Sequence, residues 1–477
     1  MAYHRVYIDG ALRDADGGRR MSVVCPATER VVAEVAWASA SDAQAALDAA
    51  QRGFVRWSRT SLSERRRRML ELREAVLTRE ETLREAVMLE HGKPYEQTEE
   101  DFRSLVNSLA FYAEEILRLR GEVLPDPEGT HEHRIVYEPA GVAVAFLAWN
   151  FPLLNLAFKL GPALAAGCSL IVRPSTETPV SALLVGEICH EVGLPPGVVN
   201  ILPGPVQDVA ETLSRSQVPA LLTLIGSTAT GRSIMAAGAS SIKRFSMELG
   251  GNAPVIVYPD ADLELAASTV AALKFGNAGQ ICVAPNRVLV HEAVASAFVD
   301  AVVRRARAVR LGSGRGTGAT MGPLINDAAR QRVHSWVQEA VRAGAVLHCG
   351  GRAPDTPASG FYYEPTVLSS VMDTMRVSCE EVFGPVVGIS TFRDEAEAIR
   401  RANATSAGLA SYLFGQDIDR LTRAARDLRF GEVQVNGVKH NIDLPHGGMG
   451  QSGIGHDCSH LALHDYLAVK RITVAIR

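Results

Sequence analysis

The chain opens with charged, helix-forming sequence and then changes to alternating apolar runs. Residues 39–118 combine Ala and Leu with many charged side chains, and Ser41, Asp42 and Ser63 mark helix starts. From Arg134 onward, short apolar runs alternate with segments of helical length. Strands that are buried on both faces and separated by helices indicate a parallel sheet built from βαβ units.

Two such series follow one another. The first has predicted strands at 142–148, 169–172, 198–202 and 220–225, and predicted helices at 156–166 and 181–191. The second has predicted strands at 254–257, 288–290, 367–371, 386–391, 410–414 and 432–435, and predicted helices at 263–275 and 294–309. This order predicts an α/β protein with two domains meeting near residue 250 and a ligand cleft at the carboxyl ends of the strands.

Composition narrows the class of protein. The 477 residues are 47% hydrophobic and 21% charged, as in folded globular proteins. Lys and Arg number 49 against 53 Asp and Glu, and a net charge of −4 argues against a nucleic-acid partner. The longest apolar stretches fall short of the ~20 residues that a spanning helix needs, and the first 20 residues lack the apolar run of a signal peptide. We therefore expect no membrane association.

Seven widely spaced cysteines lack a C-x-x-C pair, which predicts reduced thiols in a cytoplasm. His456, Cys458 and His460 lack a fourth ligand at suitable spacing, so no metal site is expected. The run Arg65–Arg68 is compatible with a phosphate-binding patch, but its flanking residues favour a solvated helix face.

Three motifs carry candidate chemistry. Cys282 follows two glycines in FGNAGQIC, where little bulk shields a nucleophile, although most lone cysteines are small buried hydrophobes. Glu248 in MELGGN is a candidate general base whose pKa partial burial would raise, or else a helix-terminal or salt-bridged residue. Asn150 in WNFP can donate to an oxyanion, or act as a helix N-cap.

Together these motifs resemble the aldehyde dehydrogenase superfamily of NAD(P)-dependent, non-phosphorylating enzymes over roughly residues 5–475. The resemblance also includes the segments GKP at 92–94, RPS at 173–175, GSTATG at 226–231, EEVFGP at 380–385, PHGG at 445–448 and SGIG at 452–455. No G-x-G-x-x-G follows a predicted strand, and in this family the turn at Gly226 takes its place. The ordered set is far more specific than any one motif.

The resemblance implies a mechanism. Cys282 attacks the aldehyde to form a thiohemiacetal, and Asn150 with the Cys282 N–H holds the oxyanion. After hydride transfer to the nicotinamide, Glu248 activates water to hydrolyse the thioester. Lys159 aligns with a lysine that is sometimes assigned a proton-relay role.

The resemblance also assigns cofactor-binding residues. Glu381 matches the residue that binds the nicotinamide ribose, Phe383 packs beside the nicotinamide, and Gly226 and Ser227 form the pyrophosphate turn. The remaining cofactor-binding residues are Trp149, Arg173, Ser175 and Thr176. NAD-preferring relatives have Glu at the position of Thr176, so this residue and Arg173, a phosphate donor, favour NADP over NAD. Alternatively, Arg173 only replaces the lysine that usually contacts the ribose.

The resemblance implies an aldehyde substrate, and we expect a small anionic semialdehyde with a carboxylate or phosphonate. The matching tunnel positions are Arg103, Ser104, Asn155, Phe158, Ile281, Val283 and the loop 440–445. Arg103 or His440 would bind the anion, although Arg103 could equally be a solvated helix residue.

The resemblance implies a Rossmann-like cofactor domain at 1–120 and 139–249, an α/β catalytic domain at 250–438, and an oligomerisation β-arm at 121–138 and 439–477. A homodimer or homotetramer is expected. Two alternatives remain: a CoA-acylating dehydrogenase, which Glu248 argues against, and a non-enzymatic binding or structural protein, which Cys282 and Asn150 argue against.

Overall fold

A computed structural model describes residues 2–476 and contains fifteen α-helices and twenty-one β-strands within that range. In chain order the strands are β1 (Ala2–His4), β2 (Val6–Ile8), β3 (Ala11–Arg13), β4 (Arg20–Val24), β5 (Val31–Ala36), β6 (Glu122–Leu124), β7 (His131–Pro139), β8 (Val142–Phe146), β9 (Ser169–Arg173), β10 (Val199–Ile201), β11 (Pro219–Ile225), β12 (Arg244–Glu248), β13 (Ala253–Val257), β14 (Pro285–His291), β15 (Val346–Cys349), β16 (Thr366–Ser369), β17 (Val386–Phe392), β18 (Ala410–Phe414), β19 (Glu432–Val435), β20 (Gly453–Ile454) and β21 (Leu467–Ala475). The helices are α1 (Ala40–Trp57), α2 (Leu62–Thr78), α3 (Glu80–His91), α4 (Thr98–Glu115), α5 (Pro152–Ala166), α6 (Val180–Glu191), α7 (Glu211–Arg215), α8 (Thr228–Gly238), α9 (Leu263–Phe275), α10 (Ala295–Arg307), α11 (Asp327–Arg342), α12 (Arg376–Cys379), α13 (Glu395–Ala402), α14 (Ile418–Asp427) and α15 (Ser459–Asp465).

Two large sheets confirm the predicted α/β class. The first has eight strands in the order β20-β12-β11-β8-β9-β10-β2-β3, and the second has seven in the order β15-β16-β17-β14-β13-β18-β19. Neighbouring strands are parallel from β12 to β10 and from β16 to β19. The strands β8, β9, β13 and β18 are buried on both faces, which explains why the sequence lacks a strand-like alternation there.

The remaining strands form two three-stranded sheets. β21, β7 and β6 pair antiparallel, as expected for the predicted arm, and β1, β5 and β4 form the other. The predicted arm segment 439–477 is more varied than a β-extension, since β20 joins the eight-stranded sheet and α15 precedes β21. Arg477 and Met1 lie outside the described residues. The proposed domain boundaries stay a prediction.

Both predicted helix starts lie two residues beyond the observed caps. Ser39 rather than Ser41 caps α1, and Ser61 rather than Ser63 caps α2. Arg65 on α2 is not solvated: it is buried and donates to the carbonyl groups of Ser58, Thr60 and Ala165. The prediction of a solvated face is therefore wrong at this residue, because its guanidinium satisfies three backbone acceptors. No helix within residues 2–476 is long and apolar enough to cross a bilayer.

Candidate active site

A cavity of about 1110 Å³ is lined by residues of both large sheets. Gly226 follows β11, Glu248 ends β12, and Cys282 precedes β14. The carboxyl ends of β11 and β12 thus meet the segment before β14 at one cleft. The predicted location at strand carboxyl ends holds for the first large sheet only, because Cys282 lies at the amino end of its strand.

Cys282 lies on a loop that is held in place by hydrogen bonds of the Gln280 side chain. Asn277 and Ala278 both have positive φ angles, 48° and 54°, a conformation that non-glycine residues rarely adopt. The buried Gln280 side chain accepts from the Ile325 N–H at 2.9 Å and donates to the Asn277 carbonyl at 3.0 Å. Cys282 itself is partly exposed to the cavity, so it is not the buried hydrophobe of the alternative interpretation.

Asn150 lies against the same loop. Its amide donates to the Gln280 carbonyl at 3.1 Å, and its Oδ1 accepts from Asn155 at 3.2 Å. The N-cap residue of α5 is Phe151, so Asn150 is not the helix cap of the alternative interpretation. The contacts orient the amide so that one N–H group faces the loop that carries Cys282, and its second N–H remains available to a ligand.

Glu248 is a buried carboxyl group at the end of β12. Within residues 2–476 neither carboxylate oxygen has a hydrogen-bond partner, and His446 Nε2 lies 3.8 Å from Oε2. Burial raises the pKa of Glu248 well above its usual range, and the nearby His446 partly opposes that shift. The expected desolvation is confirmed, and the residue terminates a strand rather than a helix.

Lys159 forms a buried ion pair. Its Nζ lies 2.6 and 2.8 Å from the two carboxylate oxygens of Asp457, and both side chains are at most 2% exposed. Asp457 lines the cavity, whereas Lys159 lies behind it on α5. Both charges influence Glu248: Lys159 lowers and Asp457 raises the pKa of its carboxyl group.

Several predicted cofactor residues line one part of the cavity. They are Trp149, Gly226, Ser227, Glu381 and Phe383. Ser227 caps α8 by accepting from the Thr230 N–H, so a helix N-terminus suited to phosphate follows Gly226. The Trp149 and Phe383 rings meet edge to face with centroids 5.5 Å apart.

Glu381 fits a ribose-binding role. It accepts from the Gly251 N–H at 3.1 Å, and burial raises its pKa to about 7. A Cβ on Gly250 would lie 2.7 Å from Glu381 Oε2, and one on Gly251 would lie 2.2 Å from the Cys282 carbonyl oxygen. The two glycines therefore let the cavity wall approach both residues closely.

Three residues predicted to bind the cofactor, Arg173, Ser175 and Thr176, are absent from the cavity lining formed by the described residues. The Nε and Nη2 atoms of Arg173 both donate to the Gly204 carbonyl, at 3.1 and 2.8 Å. The expected bidentate phosphate contact is unsupported, because a backbone carbonyl occupies these donors. Thr176 is exposed.

Every predicted substrate position except Asp443 of the loop 440–445 lines the cavity, including Arg103, Ser104, Asn155, Phe158, Ile281, Val283 and His440. Asn155 is turned to Asn150 and the Ala148 carbonyl, so its amide supports the wall rather than a ligand. Burial lowers the pKa of His440, which disfavours its use as a cationic anion partner. Arg103 is exposed and 3.5 Å from Glu99.

Sequence reasoning missed three side chains. Asp457 pairs with Lys159, 298 residues away, Glu432 pairs with His446 across a loop, and His446 was quoted only as part of the PHGG motif. His446 itself was the signal available in the sequence, because a histidine next to two glycines is a candidate acid–base residue on a loop. Among residues 2–476 no group of three or more His, Cys, Asp or Glu side chains could hold a metal ion.

Comparisons with known proteins agree with this geometry. The family model described as "Aldehyde dehydrogenase family" matches residues 12–472. A mitochondrial succinate-semialdehyde dehydrogenase of Arabidopsis thaliana is 38% identical over 98% of this chain and 88% of its own. The crystal structure of an E. coli NADP dependent enzyme has a TM-score of 0.97 at 34% identity, over 100% of this chain and 98% of that one. A betaine aldehyde dehydrogenase from Staphylococcus aureus in complex with NAD+ has a TM-score of 0.96 at 33% identity, over 98% and 94%.

Proposed function

The chain belongs to the aldehyde dehydrogenase family and oxidises an aldehyde to its carboxylic acid with NAD(P)+, and from this premise we propose that its substrate is a short anionic semialdehyde. The observation that carries the assignment of the site is the meeting of Cys282, Asn150 and Glu248 in one cavity.

In the proposed mechanism the Cys282 sulfur adds to the aldehyde carbon. The second N–H of Asn150 and the Cys282 backbone N–H stabilise the oxyanion of the thiohemiacetal. NAD(P)+, when bound, accepts a hydride from the substrate carbon. The resulting thioester on Cys282 is attacked by a water molecule that Glu248 deprotonates, and Lys159 with Asp457 sets the charge around that carboxylate.

Hydrolysis is favoured over transfer to CoA. A buried carboxylate with two unpartnered oxygens is suited to take a proton from water, and burial raises its pKa well above the usual range of a glutamate, which makes it a stronger base. The deprotonated form is the active one, so deacylation should be lost as the pH falls through this raised pKa.

The residues around Trp149 and Phe383 fit the nicotinamide end of NAD(P)+. Glu381 would accept hydrogen bonds from the ribose, and the N-terminus of α8 would hold the pyrophosphate. We propose a preference for NADP+, supported by neutral Thr176, which has no charge to repel a 2′-phosphate. Arg173 gives this preference little support, because two of its donors already bind the Gly204 carbonyl.

Arg103 is the proposed partner of the substrate anion. Its contact with Glu99 is a solvent-exposed pair of the kind that contributes about 0–1 kcal/mol, so a carboxylate in the cavity can compete for it. The exposed Lys439, which also lines the cavity, is a second cation near the same ligand.

A panel of short aldehydes tests the substrate. Compounds of equal length carrying a carboxylate, a neutral group or a quaternary ammonium should be compared with NAD+ and NADP+. The anionic aldehyde should exceed the neutral one in kcat/KM by about tenfold, equivalent to about 1.4 kcal/mol. Arg103→Ala should remove most of that ratio, while the control Arg215→Ala, in a comparable pair with Glu211, should not. Preference for the ammonium compound would contradict the anionic assignment.

The oligomeric state and the cellular compartment are proposed from two separate observations. The sheet of β6, β7 and β21 exposes Val123, Val469, Ile472 and Val474, which supports burial in a homodimer or homotetramer. All seven cysteines are free thiols within the described chain, which supports the cytoplasm as the compartment.

A further inference from the structure

A second acid–base group lies beside Cys282. His446, in the loop after β19, has its Nδ1 atom 2.5 Å from Glu432 Oε1 and its Nε2 atom 3.8 Å from Glu248 Oε2. Cys282 lines the same cavity as this ring, and a hydrogen bond with its thiol is among the causes that raise the pKa of His446. The imidazole therefore stands between the nucleophile and two carboxyl groups.

The surrounding backbone holds this ring in place. His446 and Asp457 exchange backbone hydrogen bonds of 2.8 and 2.7 Å, and the ring lies 6.2 Å from that of Phe158. Because Glu432 engages Nδ1, it fixes the tautomer and the ring orientation and leaves Nε2 for the cavity side. Glu432 begins β19 and its side chain is only 9% exposed, so the contact is shielded from solvent.

The electrostatics favour a charged pair. Burial opposes the charged form of His446, but Cys282, Glu432 and Glu248 together raise its pKa well above the usual range. Burial would raise the pKa of Glu432, yet His446 and His440 hold it below its usual value.

The other titratable groups packed around the ring are Glu248, the Lys159–Asp457 pair, His440 and Cys458. Lys159 and Asp457 neutralise each other, burial raises the pKa values of both Glu248 and Cys458, and Glu248 Oε2 lies 3.8 Å from the ring, too far for a hydrogen bond. Glu432 is thus the carboxylate available to balance an imidazolium.

We propose that Glu432 and His446 form a dyad that takes the proton of Cys282. Before the aldehyde binds, the nucleophile is then a thiolate beside an imidazolium. This inference rests on the proposed role of Cys282. The S–H bond breaks, its proton moves to Nε2, and the sulfur lone pair forms the C–S bond while the C=O electrons move to oxygen. The oxyanion collapses with loss of hydride to NAD(P)+, which the family activity supplies.

The dyad also completes the cycle. Water loses one proton to Glu248 and adds to the thioester, and collapse of that intermediate expels the Cys282 thiolate next to the imidazolium that has kept its proton. Thiol activation and water activation are thereby divided between His446 and Glu248. Glu248 need not be ionised for the acylation step.

Alkylation of Cys282 tests the dyad without any aldehyde. The rate of iodoacetamide reaction should be followed from acidic to alkaline pH by mass spectrometry of the Cys282 peptide, in the parent, His446→Gln and Glu432→Gln. Since the thiolate is the reacting form, His446→Gln should react about tenfold more slowly near pH 7 and approach the parent rate only at alkaline pH. Glu432→Gln should show a smaller shift in the same direction. The exposed His460→Gln serves as control and should keep the parent profile.

Two further measurements keep the inference falsifiable. Far-ultraviolet thiolate absorbance, titrated in the parent and in Cys282→Ser, detects the thiolate in the unaltered site if His446→Gln fails to fold. In rapid mixing, His446→Gln should slow the burst of reduced cofactor, whereas Glu248→Gln should leave it. Identical alkylation profiles in parent and folded His446→Gln, or no thiolate signal below alkaline pH, would overturn the dyad. A shifted profile in a protein that oxidises no aldehyde would leave the dyad standing and refute the proposed function.

Discussion

Replacing Asp457 with Asn should strongly destabilise the region around α5. The change leaves the Lys159 ammonium, 0% exposed, without the carboxylate that lies 2.6 and 2.8 Å away. Removing one partner of a buried ion pair costs about 3–5 kcal/mol, because an uncompensated charge stays desolvated. A surface pair would cost about 0–1 kcal/mol.

Hydrogen–deuterium exchange of peptides covering α5 measures this change locally. A tenfold change in the exchange protection factor corresponds to about 1.4 kcal/mol. Asp457→Asn should therefore reduce the protection of α5 from exchange at least about a hundredfold. The control Glu211→Gln, which breaks an exposed pair with Arg215, should leave protection unchanged. The double variant Lys159→Met with Asp457→Leu should recover much of the lost protection, since it removes both buried charges.

Asp457→Asn should also shift the pH dependence of deacylation in a defined direction. Asp457 raises and Lys159 lowers the pKa of Glu248, so Asp457→Asn should move the acid limb of the deacylation profile to lower pH. A loss of protection below tenfold, or an acid limb that moves to higher pH, would refute this account of the pair.

Three further changes have distinct expected results. Cys282→Ser should abolish aldehyde oxidation and retain cofactor binding, measured by nucleotide fluorescence; normal turnover would rule out the nucleophile. Thr176→Glu should move the kcat/KM ratio from NADP+ towards NAD+ by restoring a ribose acceptor, and a parent that already prefers NAD+ strongly would contradict the proposed preference. Gly251→Ala should lower kcat at least tenfold, because its Cβ would lie 2.2 Å from the Cys282 carbonyl oxygen, while Gly276→Ala, with open space around it, should not.

The long, apolar elements were predictable from the sequence. The strands β18 and β19 occur at the predicted residues 410–414 and 432–435, and helix α9 spans the predicted 263–275. Short strands such as β2 and β20 were not predicted, because two or three residues carry no periodicity and their pairing is long-range.

The candidate site was also predictable from the sequence only in part. Cys282, Glu248 and Asn150 each stand in a local motif, so the sequence could nominate them and the fold brings them to one cavity. The partner of Lys159 lies 298 residues away, and Glu432 meets His446 only because the loop after β19 turns back. For Arg173 the sequence suggested a phosphate contact that the structure does not support. Its sequence context could not reveal that the Gly204 carbonyl occupies two of its donors.

The most direct test of the central claim is the acyl-enzyme itself. Glu248→Gln, mixed rapidly with aldehyde and NADP+, should give a full burst of reduced cofactor followed by slow turnover, and intact-protein and peptide mass spectrometry should find the acyl group on Cys282. In the parent the intermediate should be short-lived, because Glu248 activates the water that removes it. Loss of the burst together with an unmodified Cys282 in a folded, cofactor-binding Glu248→Gln protein would contradict the proposed chemistry.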